Sequence, residues 1–172
     1  EVIMGSEGRF GVISSVKVRV TPTPEKETFY VAFSPSWESS IELARRAAQA
    51  KIPLSMLRLS NAIETDTQLA LAGRPTAISW LERYLRLRGI GAGKSMVTFG
   101  ITGSAQQCRS SLSQLKHLFG ELGVVNTGAR LGEIWEHSRF RSPYLRQTLW
   151  AEGYAVDTLE TAVNWANLPG AV

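Results

Sequence analysis

Apolar positions recur along this chain with two periods that take turns, one of two residues and one near 3.6. Phe29, Val31 and Phe33 alternate as a strand, and Ser36, a good helix cap, precedes a helix running to about Lys51 with Ile41, Ala44 and Ala48 on one face. After Pro53 the pattern predicts a short strand over 54–60 and a helix over Ala62–Leu71. Arg74-Pro75 breaks the chain, and Ile78, Leu81 and Leu85 then share one helical face with arginines opposite. A loop over 89–93 leads to Val97, Phe99 and Ile101, which alternate as a strand. Ser104 with Gln107 has the spacing of a capping box, and Cys108, Leu112, Leu115, Phe119 and Leu122 behind it mark the best amphipathic helix. Val124-Val125 predicts a short strand, 133–150 a partly helical segment and 154–158 a further strand. Several strands carry one polar face. This pattern predicts an α+β fold, an antiparallel sheet with helices packed on one face.

Upstream of this block, Val12, Ile13, Val16, Val18 and Val20 predict a strand with one buried face. Thr21-Pro22-Thr23-Pro24-Glu25 separates it from the Phe29–Phe33 strand, because proline holds the chain extended and cannot continue a ladder. The strand is introduced by Gly5-Ser6-Glu7-Gly8-Arg9-Phe10-Gly11, three glycines at three-residue spacing. Glycine there permits positive φ and close approach of backbone to a ligand. The spacing and the strand behind it exclude the G-x-G-x-x-G dinucleotide fingerprint, which opens a helix. The chain starts at Glu1 and a strand-like motif begins almost at once, so it reads as an internal piece of a longer protein.

Composition narrows the classes. The chain has 172 residues, 44% of them hydrophobic, room for one ordinary core. No apolar run is long enough for a membrane span. A single cysteine, Cys108, excludes an internal disulfide framework and suits a reducing, cytoplasmic setting. The net charge of +4 invites a nucleic-acid reading, but Arg45, Arg46, Arg83, Arg86 and Arg88 are dispersed on polar helix faces. No RNA-binding or zinc-finger signature accompanies them. An anionic small molecule explains the surplus equally well. Oligomeric state is not legible in the pattern, and a homodimer stays open.

Little of the local chemistry points to catalysis by itself. Arg88-Gly89-Ile90-Gly91-Ala92-Gly93-Lys94-Ser95 imitates a phosphate loop, yet Arg88 occupies the first glycine position and a strand follows where a helix is needed. His117 and His137 lack partners at metal-ligand spacing, so no metal site is expected. Cys108 lies on an apolar face as an inert thiol. Arg58, flanked by Met56, Leu57 and Leu59, is either the polar face of a strand or a guanidinium awaiting an anion. The segment Trp135–Arg146 interleaves arginines with Trp, Phe and Tyr, and Asp157, Glu160 and Trp165 come after it. That mixture suits a carboxylate or phosphate beside an apolar tail, or a structural network pairing Arg139 or Arg146 with Glu133, Glu136 or Asp157.

Three motifs in order resemble those of FAD-linked oxidases of the vanillyl-alcohol oxidase type, in particular the alkyldihydroxyacetonephosphate synthase group and its bacterial relatives. They are GSEGRFGVI, LSMLRLSN and RFRSPYLRQTL…VDTLETAVNW. The resemblance implies FAD as cofactor, with Glu7, Gly8, Arg9, Phe10, Gly11, Val12 and Ile13 against the flavin. It implies a catalytic role for Arg58, a positive charge near the flavin, and gives Arg146 the substrate's phosphate or carboxylate. Tyr144, Asp157 and Glu160 match motif positions of supporting character. Arg9 stands where the family has a small residue and Gln147 where it commonly has Asp, which loosens the substrate assignment more than the cofactor one. By the same resemblance, residues 1–26 are the tail of a flavin domain and 27–172 an incomplete substrate-covering cap. The pyrophosphate loops would lie before Glu1 and a catalytic tyrosine and histidine cluster after Val172, leaving the piece alone inactive. The implied reaction exchanges an ester-linked acyl group for a fatty alcohol with no net redox change. The competing readings are an FAD-dependent dehydrogenase of 2-hydroxy acids or similar alcohols, and an α+β anion-binding module without enzymatic activity.

Overall fold

The computed structural model describes residues 3–140 and 142–171, with the side chains of 142–145 and 169 left aside. Its centre is a four-stranded antiparallel sheet: β1 (Lys26–Ser34), β2 (Met56–Ser60), β3 (Ser95–Gly103) and β4 (Val125–Asn126), in spatial order β2-β3-β1-β4. The helices are α1 (Trp37–Gln49), α2 (Ala62–Leu71), α3 (Pro75–Leu87), α4 (Ala105–Leu122), α5 (Ala129–Ser138) and α6 (Ser142–Ala151). Strand order and connections are those of a split βαβ sheet, with α2 and α3 inserted between β2 and β3. The antiparallel α+β architecture is the one the pattern predicts.

Period-two alternation divides the strands between two cores. Ala32, Val97, Phe99 and Ile101 point to one face, where Leu43 and Ala47 of α1 and Cys108, Leu115, Leu118 and Phe119 of α4 cover them. That is the expected helical layer. Val31, Phe33 and Met96 point to the other face and meet Leu85, Ile90 and Val125, with Leu69, Leu81 and Leu131 beside them. The central strand β3 is therefore buried without interruption from Ser95 to Ile101, and α2, α3 and α5 add cover on this opposite face.

A chain of buried hydroxyls locks the elements. Ser40 Oγ donates to Ser95 Oγ at 2.8 Å, and Ser95 Oγ donates to the Ser60 carbonyl at 2.7 Å. Thr65 Oγ1 donates to the same carbonyl at 3.1 Å and accepts from the Met96 N–H at 2.9 Å. α1, β2, β3 and α2 are thus bonded through groups that water cannot reach. The capping box at Ser104 and Gln107 is present and starts α4.

Three expectations are corrected. Residues 11–24 form no strand: Val16, Val18 and Val20 are 68–80% exposed, and no partner ladder lies beside them among the described residues. Residues 154–158 are likewise irregular, since Gly153 (φ 84°) turns the chain after α6 and the segment beyond it meets no strand. In α1 the buried stripe is Ser40, Leu43, Ala44 and Ala47. Ile41 and Ala48 lean instead towards Trp37, Leu57 and Trp165, where the C-terminal segment lies along an apolar groove of about 380 Å³.

Candidate functional site

The opposite face of the sheet positions the charged candidates. Alternation puts Arg58 of β2 on that face, and the register sets Thr98 beside it and Val31 beyond. The neighbouring row on the same face is Met56, Gly100 and Phe29. Arg58 sits at the open edge of the sheet, its side chain 49% exposed. Its guanidinium is ion-paired through Nη2 with Glu64 on the first turn of α2. Gln68 Nε2 donates to that same Glu64 oxygen at 2.9 Å and to Ser60 Oγ at 3.0 Å. Arg58 thus has both characters the sequence left open: it is on a strand's polar face, and it has an anion.

The far end of this face is roofed by α5. A side chain at Gly132 would overlap the Phe29 carbonyl and come within 2.6 Å of the Tyr30 nitrogen, so only glycine lets the helix lie so low. Trp135 then packs on Phe29 at 5.5 Å between ring centroids. Arg139 lies among three rings, 5.1 Å from Phe29, 5.7 Å from Trp135 and 4.7 Å from Phe140. Of the two alternatives left open for this segment, the pairing of Arg139 or Arg146 with Glu133, Glu136 or Asp157 does not occur among the described residues. Arg146, on α6, is exposed and lies 5.3 Å over the Trp150 ring. Tyr144 falls among the side chains left aside. Asp157 and Glu160 are exposed in the irregular segment.

The N-terminal candidates form a separate surface. Ser6 N–H donates to the Ile3 carbonyl at 3.2 Å and Arg9 N–H to the Ser6 carbonyl at 2.9 Å, giving two successive turns. Glu7 and Gly8 have φ of 49° and 79°, and Gly11 has 146°. Phe10, Val12 and Ile13 are 72%, 97% and 63% exposed. Exposed peptide groups beside uncovered apolar side chains fit a flat heteroaromatic ligand with a polar edge. Among the described residues no hydrogen bond or ion pair joins this segment to Arg58 or Arg146.

Other chemistries find no support. Lys94, the lysine of the imitation phosphate loop, is 9% exposed and bonded to Asp66 at 2.9 Å and Glu82 at 3.3 Å. Burial pulls its pKa down, but the two carboxylates outweigh this and the net direction is upward. A cleft of about 710 Å³ between α2, α3 and the loop before Lys94 has this self-compensated cluster in its lining. Cys108 is buried, and His117 pairs with Glu121 at 3.1 Å on the surface. Among the described residues no three His, Cys, Asp or Glu gather as a metal site, and no helix is long and apolar enough to cross a membrane. Sequence reasoning missed Glu64, although the Asn61-x-x-Glu64 spacing was visible, and Gly132, which carried no sequence signal.

Comparison with known proteins agrees with the motifs. Residues 23–172 match the family model described as FAD linked oxidases, C-terminal domain. Alkyldihydroxyacetonephosphate synthase of Trypanosoma brucei brucei is 26% identical over 171 residues, covering 94% of this chain and 28% of that protein. The Dictyostelium discoideum protein of the same name is 24% identical, covering 97% of this chain and 28% of its own length. The chain thus spans between a quarter and a third of the relatives it matches. A solved structure of alkyldihydroxyacetonephosphate synthase superposes with a TM-score of 0.81 over 98% of this chain and 32% of its own, at 21% identity. A second gives 0.74 over 86% of this chain and 28% of its own, at 19% identity. These two share the fold.

Proposed function

Because the chain belongs to the family of FAD linked oxidases, C-terminal domain, we propose that it is the cap of a longer flavoenzyme resembling alkyldihydroxyacetonephosphate synthase, covering the flavin and binding an anionic substrate. Residues 27–172 form that cap and residues 1–26 end the flavin domain. The observation that carries the reading is Arg58, held half-exposed at the open edge of the sheet face opposite the α1–α4 layer. FAD, when bound, supplies an electrophilic ring that can hold electrons or a covalent bond. The protein contributes placement and charge.

In this reading the peptide groups of Glu7, Gly8, Arg9 and Gly11 would hold the flavin by hydrogen bonds, and Phe10, Val12 and Ile13 would give it apolar contact. Arg58 places a permanent positive charge where negative charge develops, a contribution that grows when water is excluded. Arg146 offers a planar fork of donors to the substrate's phosphate or carboxylate. Its Cζ lies 5.3 Å over the Trp150 ring, a cation–π contact that uses none of its N–H donors. The isolated chain is inactive because it holds one side of the site.

The test is made on the full-length flavoprotein. Arg58→Ala is expected to abolish turnover while flavin remains bound, and wild-type turnover in that variant removes Arg58 from the site. An anaerobic visible spectrum with a panel of 2-hydroxy acids is expected to stay oxidised. Bleaching assigns a dehydrogenase instead, and failure to take up FAD at all makes the chain an anion-binding module.

A further inference from the structure

Resting on the reading of Arg58 as the cation beside the flavin, we propose that Glu64, held by Gln68, positions the Arg58 guanidinium. The first argument is a forgone cap. Asn61-x-x-Glu64 has capping-box spacing, and Asn61 Oδ1 accepts from the Glu64 N–H at 2.9 Å. In a complete box the Glu64 carboxylate would return to the Asn61 N–H, as Gln107 Oε1 returns to the Ser104 N–H at 2.9 Å on α4. On α2 the carboxylate bonds Arg58 and Gln68 instead, and among the described residues no bond to the Asn61 N–H is found.

The second argument is the restraint on the carboxylate. One oxygen of Glu64 accepts from both Arg58 and Gln68, and Gln68 is itself tied to Ser60 Oγ. Ser60 is 1% exposed, and its carbonyl is the acceptor shared by Ser95 and Thr65. The guanidinium is therefore referred, through Glu64 and Gln68, to the buried hydroxyl network that joins α1, β2, β3 and α2. Arg58 and Glu64 are 49% and 39% exposed at the side chain, and an ion pair so open to solvent contributes little to stability. Its use lies in orientation. One bond to Nη2 leaves Nε and Nη1 with donors to offer, and fixes where they point.

The test needs no substrate. Sulfite adds through its sulfur lone pair to the flavin N5, and the negative charge it places on the ring makes its Kd, read from the visible spectrum, a gauge of nearby positive charge. In the full-length flavoprotein Arg58→Ala is expected to raise the sulfite Kd at least tenfold. Glu64→Ala should raise it towards the same value, whereas removing a negative charge without disturbing Arg58 would lower it. Glu64→Gln, which keeps an acceptor oxygen, should bind sulfite as tightly as wild type or more tightly. Gln68→Met, which touches Arg58 only through Glu64, should weaken binding by a smaller factor. If Arg58→Ala weakens sulfite binding and Glu64→Ala does not, the positioning role is overturned and the reading of Arg58 stands. If Arg58→Ala leaves the Kd unchanged, both fall together.

Discussion

Gly132→Ala tests whether α5 owes its place to a missing side chain. Two effects of opposite sign compete. Alanine in a helix interior is favoured over glycine by about 1 kcal/mol, so local propensity alone predicts a more stable protein. Against it, the new methyl group would overlap the Phe29 carbonyl and approach the Tyr30 nitrogen to 2.6 Å, and rigid strand backbone cannot yield as a side-chain tip does. Ordinary contact requires α5 to retreat by about 1.4 Å or more from the Phe29 carbonyl, and a gap of that size forfeits much of the dispersion between packed groups. Overpacking of this kind costs about 1–3 kcal/mol. Loosening the Phe29–Trp135 pair adds about 0.5–1.5 kcal/mol. The net expectation is a destabilisation of about 2 kcal/mol. Urea unfolding followed by circular dichroism measures it, with tryptophan emission as a second probe, since Trp135 leaves its aromatic partner. A midpoint equal to or above wild type would falsify the argument, because it would mean that α5 rides clear of β1.

Thr65→Val keeps shape but removes the acceptor for the buried Met96 N–H, while the Ser60 carbonyl retains its bond from Ser95. It is expected to cost about 2 kcal/mol, the usual range for stranding a buried donor, and a loss below about 0.5 kcal/mol in urea unfolding refutes that account. Lys94 has its pKa raised in the folded state, against burial, by Asp66 and Glu82. Its contribution is therefore complete below the ordinary lysine pKa and disappears as pH rises through the raised one. Wild type should lose stability across that alkaline window by more than Lys94→Met does, and parallel curves for the two would contradict the assignment.

The fold was legible where local signals and long-range packing agree. Ala62–Leu71 is helical as the pattern predicts, Ser104 and Gln107 cap α4, and Phe29, Val31 and Phe33 alternate into a real core. The valines between Val12 and Val20 show the limit of such reading. Period two reports that a segment has two unlike faces, and a strand exists only when another strand supplies its ladder. The site divides in the same way. Arg58 was conspicuous because a guanidinium among Met56, Leu57 and Leu59 is locally discordant. Glu64 was not, because its local pattern already had a satisfactory use as a helix cap. Gly132 was silent, since a glycine in a helix reads locally only as a weakness.

The pairing of the two nine-residue strands sets the order in which this chain can be made. Phe29 lies opposite Gly100 and Phe33 opposite Met96, so the middle of the sheet closes only after everything between β1 and β3 has been synthesised. On the ribosome, Phe29, Val31 and Phe33 emerge before their partner strand, which comes after α1, β2, α2 and α3. Helices can form during that interval, but the core cannot. The nascent chain therefore exposes an unpaired apolar strand until β3 has been made, a stretch of synthesis in which chaperone binding and the pace of translation bear on its yield.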